Sequence, residues 1–581
     1  MKRVFKTSNI IFRLLSTWLI TFIACKIITK DTFYNISFAS DLSLPIIILI
    51  FFITFIILTI ISYFLKKENF EYILAIILYT ICSIYWSFSI RNAFFLLTLF
   101  LLFILLYKYK LESIKMNIQI SNKTTMVIVA LSAIIMFSSI AIVTVLRYKT
   151  FSASNFDLGI PSQNFYYMKK TLIPYSTTER NQFLSHFAVH ISPIYYLGLP
   201  IYAIFSSPTT LQLLAALLIA SGIIPIYLIC KNKKFSNIII VLLCLLYALY
   251  APAICSTFYD FHENTFLTPL LLWLFYFYEK KNYKLYWLAL LLVLFVKEDA
   301  PLYIIIFGIY TLFDNNKKLG ITTTLIGLIY FIAVNIILTH IGEGPMSYRY
   351  ENLILDNEGM LGAIKTIISN PGYFLNQLTL SDPAQSAYKI EYLLLLFLPL
   401  GFIPFKHKQW KNYILLTPLL LTIMTTYIYC YLIDFHYSNG VVAFIFYLMI
   451  LNVKEFKKYN YLFVCLFGSI LVYTAEPYNQ ISKYSTMYYK EFTMYNGMET
   501  FLKNVPKDAS VNASGLIVAH LANRDTLYEI LYHDNEPDVD YVVLDGRIID
   551  EYNDVYDAYI SNGYYEYKKS DNITILKDGN N

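Results

Sequence analysis

Long apolar stretches alternate with short polar segments along most of the chain. Membrane-spanning helices need about 20 mostly apolar residues, and backbone in hydrocarbon must satisfy its own hydrogen bonds. The pattern therefore predicts an α-helical polytopic membrane protein with about 15 transmembrane helices. The predicted crossings lie near residues 10–28, 44–65, 70–87, 93–107, 125–146, 210–229, 238–254, 265–278, 284–297, 300–313, 320–340, 392–404, 412–432, 438–452 and 460–474.

Composition excludes a soluble enzyme of this length. Hydrophobic residues make up 57% of the chain and charged residues 14%, and the mean hydropathy is +0.54. The seven cysteines lie in or beside apolar stretches without CxxC spacing, so they indicate neither a zinc site nor a disulfide framework. The basic start at Met1 leads into an apolar stretch without a convincing cleavage site, which predicts an uncleaved first helix.

The charge of the chain is unevenly distributed. The net charge is +6, yet residues 490–581 carry 8 Lys/Arg against 17 Asp/Glu, which leaves a basic membrane body. The tail combines strand-like stretches at 539–544 and 573–576 with a helical stretch near 516–523. This alternation predicts a small α/β domain at residues 475–581.

Basic residues near helix ends resist translocation and therefore predict topology. Most short loops rich in Lys and Arg fall on one side if the amino terminus is cytoplasmic; these include 66–69, 108–123, 406–411 and 453–459. Two long loops, 147–190 and 341–391, and the tail are then extracytoplasmic. This assignment requires that residues 191–205, interrupted by two prolines, lie in the interface or re-enter the membrane without crossing it.

The triplet Lys297-Glu298-Asp299 separates two short apolar stretches. A single helix over 285–313 is the alternative, but Asp299 followed by Pro301 is typical of a helix start. The single helix would also place Lys406-His407-Lys408 outside. We therefore predict a break at the triplet, recessed below the outer surface.

Four polar islands, together with His190, fall on the predicted outer side. Ionisable groups are costly within hydrocarbon unless they pair or face water. The sequence therefore predicts one aqueous catalytic cleft. The islands are Asp157 in FDLG, Asp260-His262-Glu263 in DFHE, Lys297-Glu298-Asp299 in KED, and Asp434-His436 in DFH.

The first two islands carry groups suited to proton transfer or metal binding. Asp157 is a candidate general base or ligand of a divalent cation, Mg or Mn; the alternative is a cap for a helix starting near Ile160. Asp260, His262 and Glu263 are candidate metal ligands with Asp157, or else polar residues that cap the next helix.

The other islands suggest a phosphate site. Lys297 is a candidate for holding a lipid phosphate, with Glu298 and Asp299 as catalytic neighbours, although an internally paired structural cluster is the alternative. Asp434 and His436 are candidate substrate-binding residues, and His190 is a candidate catalytic residue. Four outer tyrosines receive no functional weight because they fit an aromatic belt; they are Tyr166, Tyr167, Tyr348 and Tyr350.

Together these motifs resemble a known family. FDLG, HISP at His190, DFHE, KED, DFHY at Asp434, VNASGLIVAHLANRD and DYVVLD are similar to the predicted membrane proteins called domain of unknown function 2079. That resemblance implies a relation to the GT-C superfamily of lipid-linked-sugar glycosyltransferases. It also implies that Asp157 matches the acidic residue of their first outer loop.

The resemblance suggests a GT-C-like core at residues 125–474, preceded by a four-helix extension at 1–124. We hypothesise a cell-membrane glycosyltransferase that uses a polyprenyl-phosphate-linked sugar on the non-cytoplasmic face. Its partners would be the bilayer, the donor and a glycan, lipid or protein acceptor, with no nucleic acid. The alternatives are a transporter or flippase of a lipid-linked or anionic solute and a non-catalytic assembly protein.

Overall fold

The protein is mostly helical. The computed structural model describes residues 4–29, 31–65, 67, 69–113, 118–314, 316–354, 359–379, 382–406, 409–453, 459–530 and 537–579. The predicted loops at 66–69, 108–123, 406–411 and 453–459 each include residues outside these ranges, as does Lys406-His407-Lys408.

The α-helices are numbered in chain order. Those of the first part are α1 (Thr7–Ile28), α2 (Leu44–Leu65), α3 (Phe70–Ser89), α4 (Ala93–Tyr109), α5 (Asn122–Lys149), α6 (Ile160–Thr171), α7 (Tyr195–Ile204), α8 (Pro208–Ser221), α9 (Ile223–Asn232), α10 (Asn237–Ala248), α11 (Ala251–Cys255) and α12 (Leu267–Glu279). Those of the second part are α13 (Tyr283–Leu294), α14 (Ala300–Phe313), α15 (Lys317–His340), α16 (Gly359–Ser369), α17 (Pro371–Thr379), α18 (Pro383–Phe397), α19 (Pro418–Ile423), α20 (Asn439–Val453), α21 (Asn460–Ala475), α22 (Pro477–Lys490), α23 (Phe492–Phe501), α24 (Gly515–Leu521) and α25 (Asn553–Ser561).

Within the described ranges, eight helical segments are long and apolar enough to cross a membrane. Shorter apolar helices, among them α4, α10, α13 and α14, coincide with further predicted crossings. The structure therefore confirms a mostly helical chain with several membrane-length helices, but helix length does not confirm the predicted number of fifteen.

Three predicted crossings are interrupted, the first of them at 238–254, where α10 ends at Ala248 and the short α11 begins at Ala251. Residues 412–432 contain only the six-residue helix α19 and short 3-10 turns, because Pro418 cannot continue a preceding helix. The stretch 392–404 ends its helix at Phe397 and then turns at Gly401, whose φ is +56°. Irregular backbone at membrane depth is tolerated where it is buried in protein or lines a cavity.

The predicted break at the Lys297 triplet is present in the structure, whereas the predicted position of residues 191–205 relative to the membrane stays a prediction. Helices α13 and α14 are separate, with Lys297-Glu298-Asp299 between them and Pro301 in the first turn of α14. Residues 191–205 contain only α7, whose ten residues extend about 15 Å at 1.5 Å per residue. That length is about half of a hydrocarbon core, so α7 alone cannot cross it.

The first four helices pack against the rest of the membrane body. Helix α1 contacts α2 and α3, and α3 and α4 contact α21. A buried ion pair joins α1 to α3, with 3.1 Å between Arg13 Nη2 and Glu71 Oε1. The amino-terminal extension is thus attached to helices of the predicted core.

The acidic tail contains a five-stranded mixed sheet, as the alternation in the sequence predicts. The strand order is β4-β3-β5-β7-β6; β3 pairs in parallel with β4 and β5, whereas β7 runs antiparallel to β5 and β6. The strands, including a separate two-stranded ribbon formed by β1 and β2 between α6 and α7, are β1 (Tyr175–Ser176), β2 (Leu184–Ser185), β3 (Val511–Ala513), β4 (Leu527–Glu529), β5 (Tyr541–Asp545), β6 (Tyr564–Lys569) and β7 (Ile573–Asp578).

The tail domain docks on the loop that follows α5, on both sides of Asp157. Asn155 Nδ2 donates to Glu529 Oε2 at 2.8 Å, and Arg547 donates to the carbonyls of Thr150 and Phe151. A Cβ at Gly159 would lie 2.4 Å from Asn155 Oδ1 and 2.8 Å from Val518 Cγ1. The glycine of FDLG is therefore required for the close approach of α24.

Candidate functional site

A cavity of about 660 Å³ lies where the loop after α5, the DFHE and DFH turns and residues 346–349 meet. Pockets of this volume accommodate small-molecule ligands. Its wall includes residues from several of the polar segments that were predicted to share a single cleft. Those residues are Asp157, His190, His262, Glu263 and His436.

Asp157 lies in a single π-helical turn, Asn155–Gly159, directly before α6. Its Oδ2 accepts a hydrogen bond from Ser154 Oγ at 2.7 Å. Gly159, not Asp157, occupies the cap position of α6, so the capping alternative does not apply. No basic side chain of the described residues forms an ion pair with Asp157, and its carboxylate is therefore available to a ligand.

Glu263 is held at the bottom of the cavity by three groups. Its Oε1 lies 2.6 Å from Lys297 Nζ, its Oε2 accepts from Tyr195 Oη at 2.9 Å, and His262 Nδ1 is 3.5 Å away. Burial alone would raise the pKa of Glu263, but the Lys297 ammonium holds it well below its usual range. Lys297 is 2% exposed. It therefore neutralises a buried carboxylate of the DFHE turn and not an acid of its own triplet.

His190 and Glu298 form a second buried pair. His190 Nδ1 lies 2.8 Å from Glu298 Oε1, and Glu298 Oε2 accepts from the Ile191 amide at 3.3 Å. Burial lowers the pKa of His190, and the charge of Lys297 lowers it further. Burial would raise the pKa of Glu298, but the interaction with His190 outweighs burial and lowers that pKa to about 2. Because the ionised carboxylate accepts from Nδ1–H, Nε2 of the neutral ring is a hydrogen-bond acceptor.

Replacing Glu298 with glutamine is expected to lower the free energy of unfolding at pH 7 by on the order of 2 to 3 kcal/mol. The folded-state pKa of about 2 lies below the ordinary value, so the stabilisation is complete above about pH 4.5 and is lost as the pH falls towards 2. Denaturant unfolding of both proteins from pH 7 downwards measures the difference. A difference that stays constant with pH would contradict an ionic origin.

Glu179 and His186 form a third pair in the cavity wall, which was not predicted from the sequence. His186 Nδ1 is 3.1 Å from Glu179 Oε2, and both residues are more than nine-tenths buried. Burial disfavours the charged ring, but the Glu179 carboxylate outweighs burial and raises the pKa of His186 above its usual value. No local spacing in the sequence indicates this pair, although both residues lie within the predicted outer loop.

Asp260 does not line the cavity. It is 1% exposed, its Oδ2 lies 3.4 Å from Arg147 Nη2, and it accepts a hydrogen bond from Gln212. Burial raises the pKa of Asp260 to about 6, against the effect of Arg147. The residue thus ties the DFHE turn to α5 and α8, and it is not placed to bind a ligand in this cavity.

The two DFH turns face each other. The rings of His262 and His436 stack with centroids 3.7 Å apart, and those of Tyr259 and Phe435 stack at 4.1 Å. His436 lines the main cavity, whereas Asp434 lines a separate cavity of about 360 Å³ with Arg91 and other residues. The structure therefore brings His436, but not Asp434, to the cavity that contains Asp157.

Asp299 and Lys297 line a smaller cavity of about 90 Å³ between α14, α15 and α19. Burial raises the pKa of Asp299 to about 6. The two cavities share Met346, Arg349 and Tyr437 in their walls. Lys297 and Asp299 thus lie behind the main cavity and do not line it.

Arg349 is a second feature of the site that was not predicted from the sequence. Its guanidinium carbon lies 5.8 Å from the ring centroid of Tyr348, 5.5 Å from that of Tyr427 and 5.1 Å from that of Tyr437. Its Nη2 contacts Met346 Sδ at 3.0 Å, and no carboxylate of the described residues pairs with it. Cation–π contacts thus hold an arginine in the cavity wall without neutralising its charge.

The four residues predicted as metal ligands do not converge. Among the described residues, no group of three or more His, Cys, Asp or Glu side chains is placed to hold a metal ion. Asp260 is paired with Arg147 and Glu263 with Lys297, so their oxygens already have cationic partners. The geometry does not fit a site built from Asp157, Asp260, His262 and Glu263.

The family model described as "Predicted membrane protein (DUF2079)" matches residues 147–575, about three quarters of the chain. The chain belongs to this family. The DUF2079 match begins at the end of α5 and includes every residue that lines the main cavity, and it confirms the family predicted from the sequence motifs.

The sequence has no match among curated proteins. Among solved structures, ArnT from Cupriavidus metallidurans bound to undecaprenyl phosphate aligns with 79% of this chain and 98% of its own, with 11% sequence identity and a TM-score of 0.41.

Proposed function

We propose that this protein is an integral-membrane glycosyltransferase that uses a polyprenyl-phosphate-linked sugar as donor. One observation carries the proposal: among the described cavity-lining residues, Asp157 is the carboxylate that forms no ion pair, and Arg349 is the cation that forms none. Transfer from a glycosyl phosphate requires a group that accepts a proton and a group that binds the leaving phosphate. The cavity supplies one of each.

In this mechanism, the acceptor hydroxyl attacks the anomeric carbon of the donor sugar while the bond from that carbon to the phosphate oxygen breaks. Asp157 accepts the hydroxyl proton, so the carboxylate becomes a carboxylic acid as the new glycosidic bond forms. Arg349 binds the departing polyprenyl phosphate and stabilises its added negative charge. Attack opposite the leaving group inverts the anomeric configuration.

The buried pairs keep the cavity in shape for this chemistry. Glu263 is neutralised by Lys297, and Glu298 fixes the ring of His190. Ser154 orients the Asp157 carboxylate. The role that the sequence suggested for Lys297, binding the donor phosphate, therefore passes to Arg349, and the mechanism includes no step at a metal ion.

The proposed orientation follows from the basic loops. With the amino terminus in the cytoplasm, the cavity and the tail sheet lie on the non-cytoplasmic face. The donor reaches the cavity from the bilayer, and the acceptor is a glycan, lipid or protein on the same side.

The test follows donor consumption by the full-length protein in phospholipid vesicles. The panel comprises radiolabelled polyprenyl-phosphate hexoses, N-acetylhexosamines, aminosugars and pentoses, and the assay measures the free polyprenyl phosphate that is released. We expect release from at least one donor in the presence of a membrane extract that contains acceptors. A complete absence of release with all donors would contradict the proposal and favour transport.

A further inference from the structure

Aromatic side chains form a continuous wall on one side of the main cavity. Ring centroids are 6.1 Å apart between Tyr348 and Tyr427, 5.1 Å between Tyr427 and Tyr429, and 4.5 Å between Tyr429 and Phe435. The stack of Phe435 on Tyr259 extends the wall towards Arg147. The wall thus joins the residues around Arg349 to Tyr259, which directly precedes the DFHE turn.

Two of these rings are too exposed to be explained by packing alone. Tyr348 is 52% exposed and Tyr429 is 40% exposed, yet both line the cavity. Tyrosines of an aromatic belt lie at the membrane surface of a protein. These rings instead border a concave space, and the exposed part of each ring is accessible to a ligand in that space.

The rest of the cavity wall combines apolar side chains, such as Ile160 and Val189, with polar ones. Asp157, Glu179, Arg180 and His190 line the same space. A sugar ring has an apolar face of C–H groups, which packs on the negative face of an aromatic ring, and a rim of hydroxyl groups, which requires hydrogen-bond partners. The cavity offers both kinds of surface, whereas a purely lipid ligand would offer no hydrogen bonds to Asp157 or Arg349, which form no ion pair in the described part of the chain.

We infer that Tyr348, Tyr427 and Tyr429 form the platform on which the donor sugar stacks when its phosphate is bound at Arg349. The inference rests on the proposed function, because it takes Arg349 as the phosphate site. Tyr348 is the chain neighbour of Arg349, and both Tyr348 and Tyr427 contact its guanidinium. A sugar joined directly to the bound phosphate therefore lies beside these rings.

The test compares binding of farnesyl phosphate with binding of farnesyl phosphoglucose, farnesyl phosphomannose and farnesyl phospho-N-acetylglucosamine. The full-length protein in lipid nanodiscs is titrated with each probe and the Kd is measured. We expect at least one sugar to strengthen binding about tenfold over farnesyl phosphate, equivalent to about 1.4 kcal/mol. Tyr429→Ala and Tyr348→Ala are expected to remove this gain, and the corresponding Phe variants to retain it.

The controls separate the platform from the phosphate site and from folding. Farnesyl phosphate is expected to bind the Tyr429→Ala variant as tightly as the wild type, which also shows that this variant is folded, whereas Arg349→Gln weakens all probes. Tyr348 contacts the Arg349 guanidinium, so Tyr348→Ala is compared with Tyr348→Phe, which keeps the ring beside the arginine. Failure of the probes to bind, or an unchanged sugar gain in the double Ala variant, would overturn the inference. A sugar gain that depends on the tyrosines, without any donor turnover, would support the platform and contradict the transferase.

Discussion

Replacing Asp157 with asparagine is expected to reduce donor turnover by about 10² to 10⁴-fold, the usual contribution of a general base. Asparagine has nearly the same shape and can still accept the hydrogen bond from Ser154 Oγ. It cannot accept the proton of an attacking hydroxyl at neutral pH. The measurement is the rate of polyprenyl phosphate release in vesicles at saturating donor, so that a change in donor affinity does not contribute.

A matched control is Asp525→Asn in the tail domain. The Asp525 side chain is 60% exposed and pairs only with exposed groups, Lys170 and Tyr166, away from the cavity. This variant should retain wild-type turnover, and both variants should retain the wild-type unfolding temperature. Turnover by the Asp157 variant within a few-fold of wild type would assign the proton to another acceptor, and the neutral ring of His190 would be the first to test.

The helices and their breaks were largely predictable because they depend on local properties. Runs of apolar residues predicted α1 to α5 closely, and the helix start at Pro301 predicted the break beside Lys297. The broken stretch at 412–432 was not predicted, because its mean hydropathy resembles that of a membrane helix. Hydropathy does not report that Pro418 interrupts the backbone hydrogen bonds.

The general location of the site was predictable, but the pairing within it was not. One-sided placement of the polar islands predicted a common cleft, and five of the candidate residues do line it. The choice of partner depends on tertiary contacts: Lys297 pairs with Glu263 and not with its neighbour Glu298, which holds His190. The role of Arg349 was not predictable, because an isolated arginine in a long loop has no distinguishing local pattern.

Replacing Lys297 with methionine is expected to lower the free energy of unfolding by about 3 to 5 kcal/mol, because it leaves the Glu263 carboxylate buried without a countercharge. Both side chains are at most 2% exposed, so water solvates the unpaired carboxylate only poorly.

Reversible unfolding in mixed micelles, with Lys170→Met as the control, measures the effect. Lys170 also pairs with an aspartate, but the two side chains are 45% and 60% exposed, and such a pair contributes about 0.2 to 1 kcal/mol. The double variant Lys297→Met, Glu263→Gln should recover much of the loss, since it removes the unpaired charge. If the Lys297 and Lys170 variants lost equal amounts of unfolding free energy, groups other than Lys297 would stabilise the Glu263 carboxylate. Lys297 would then again be a candidate for the phosphate site.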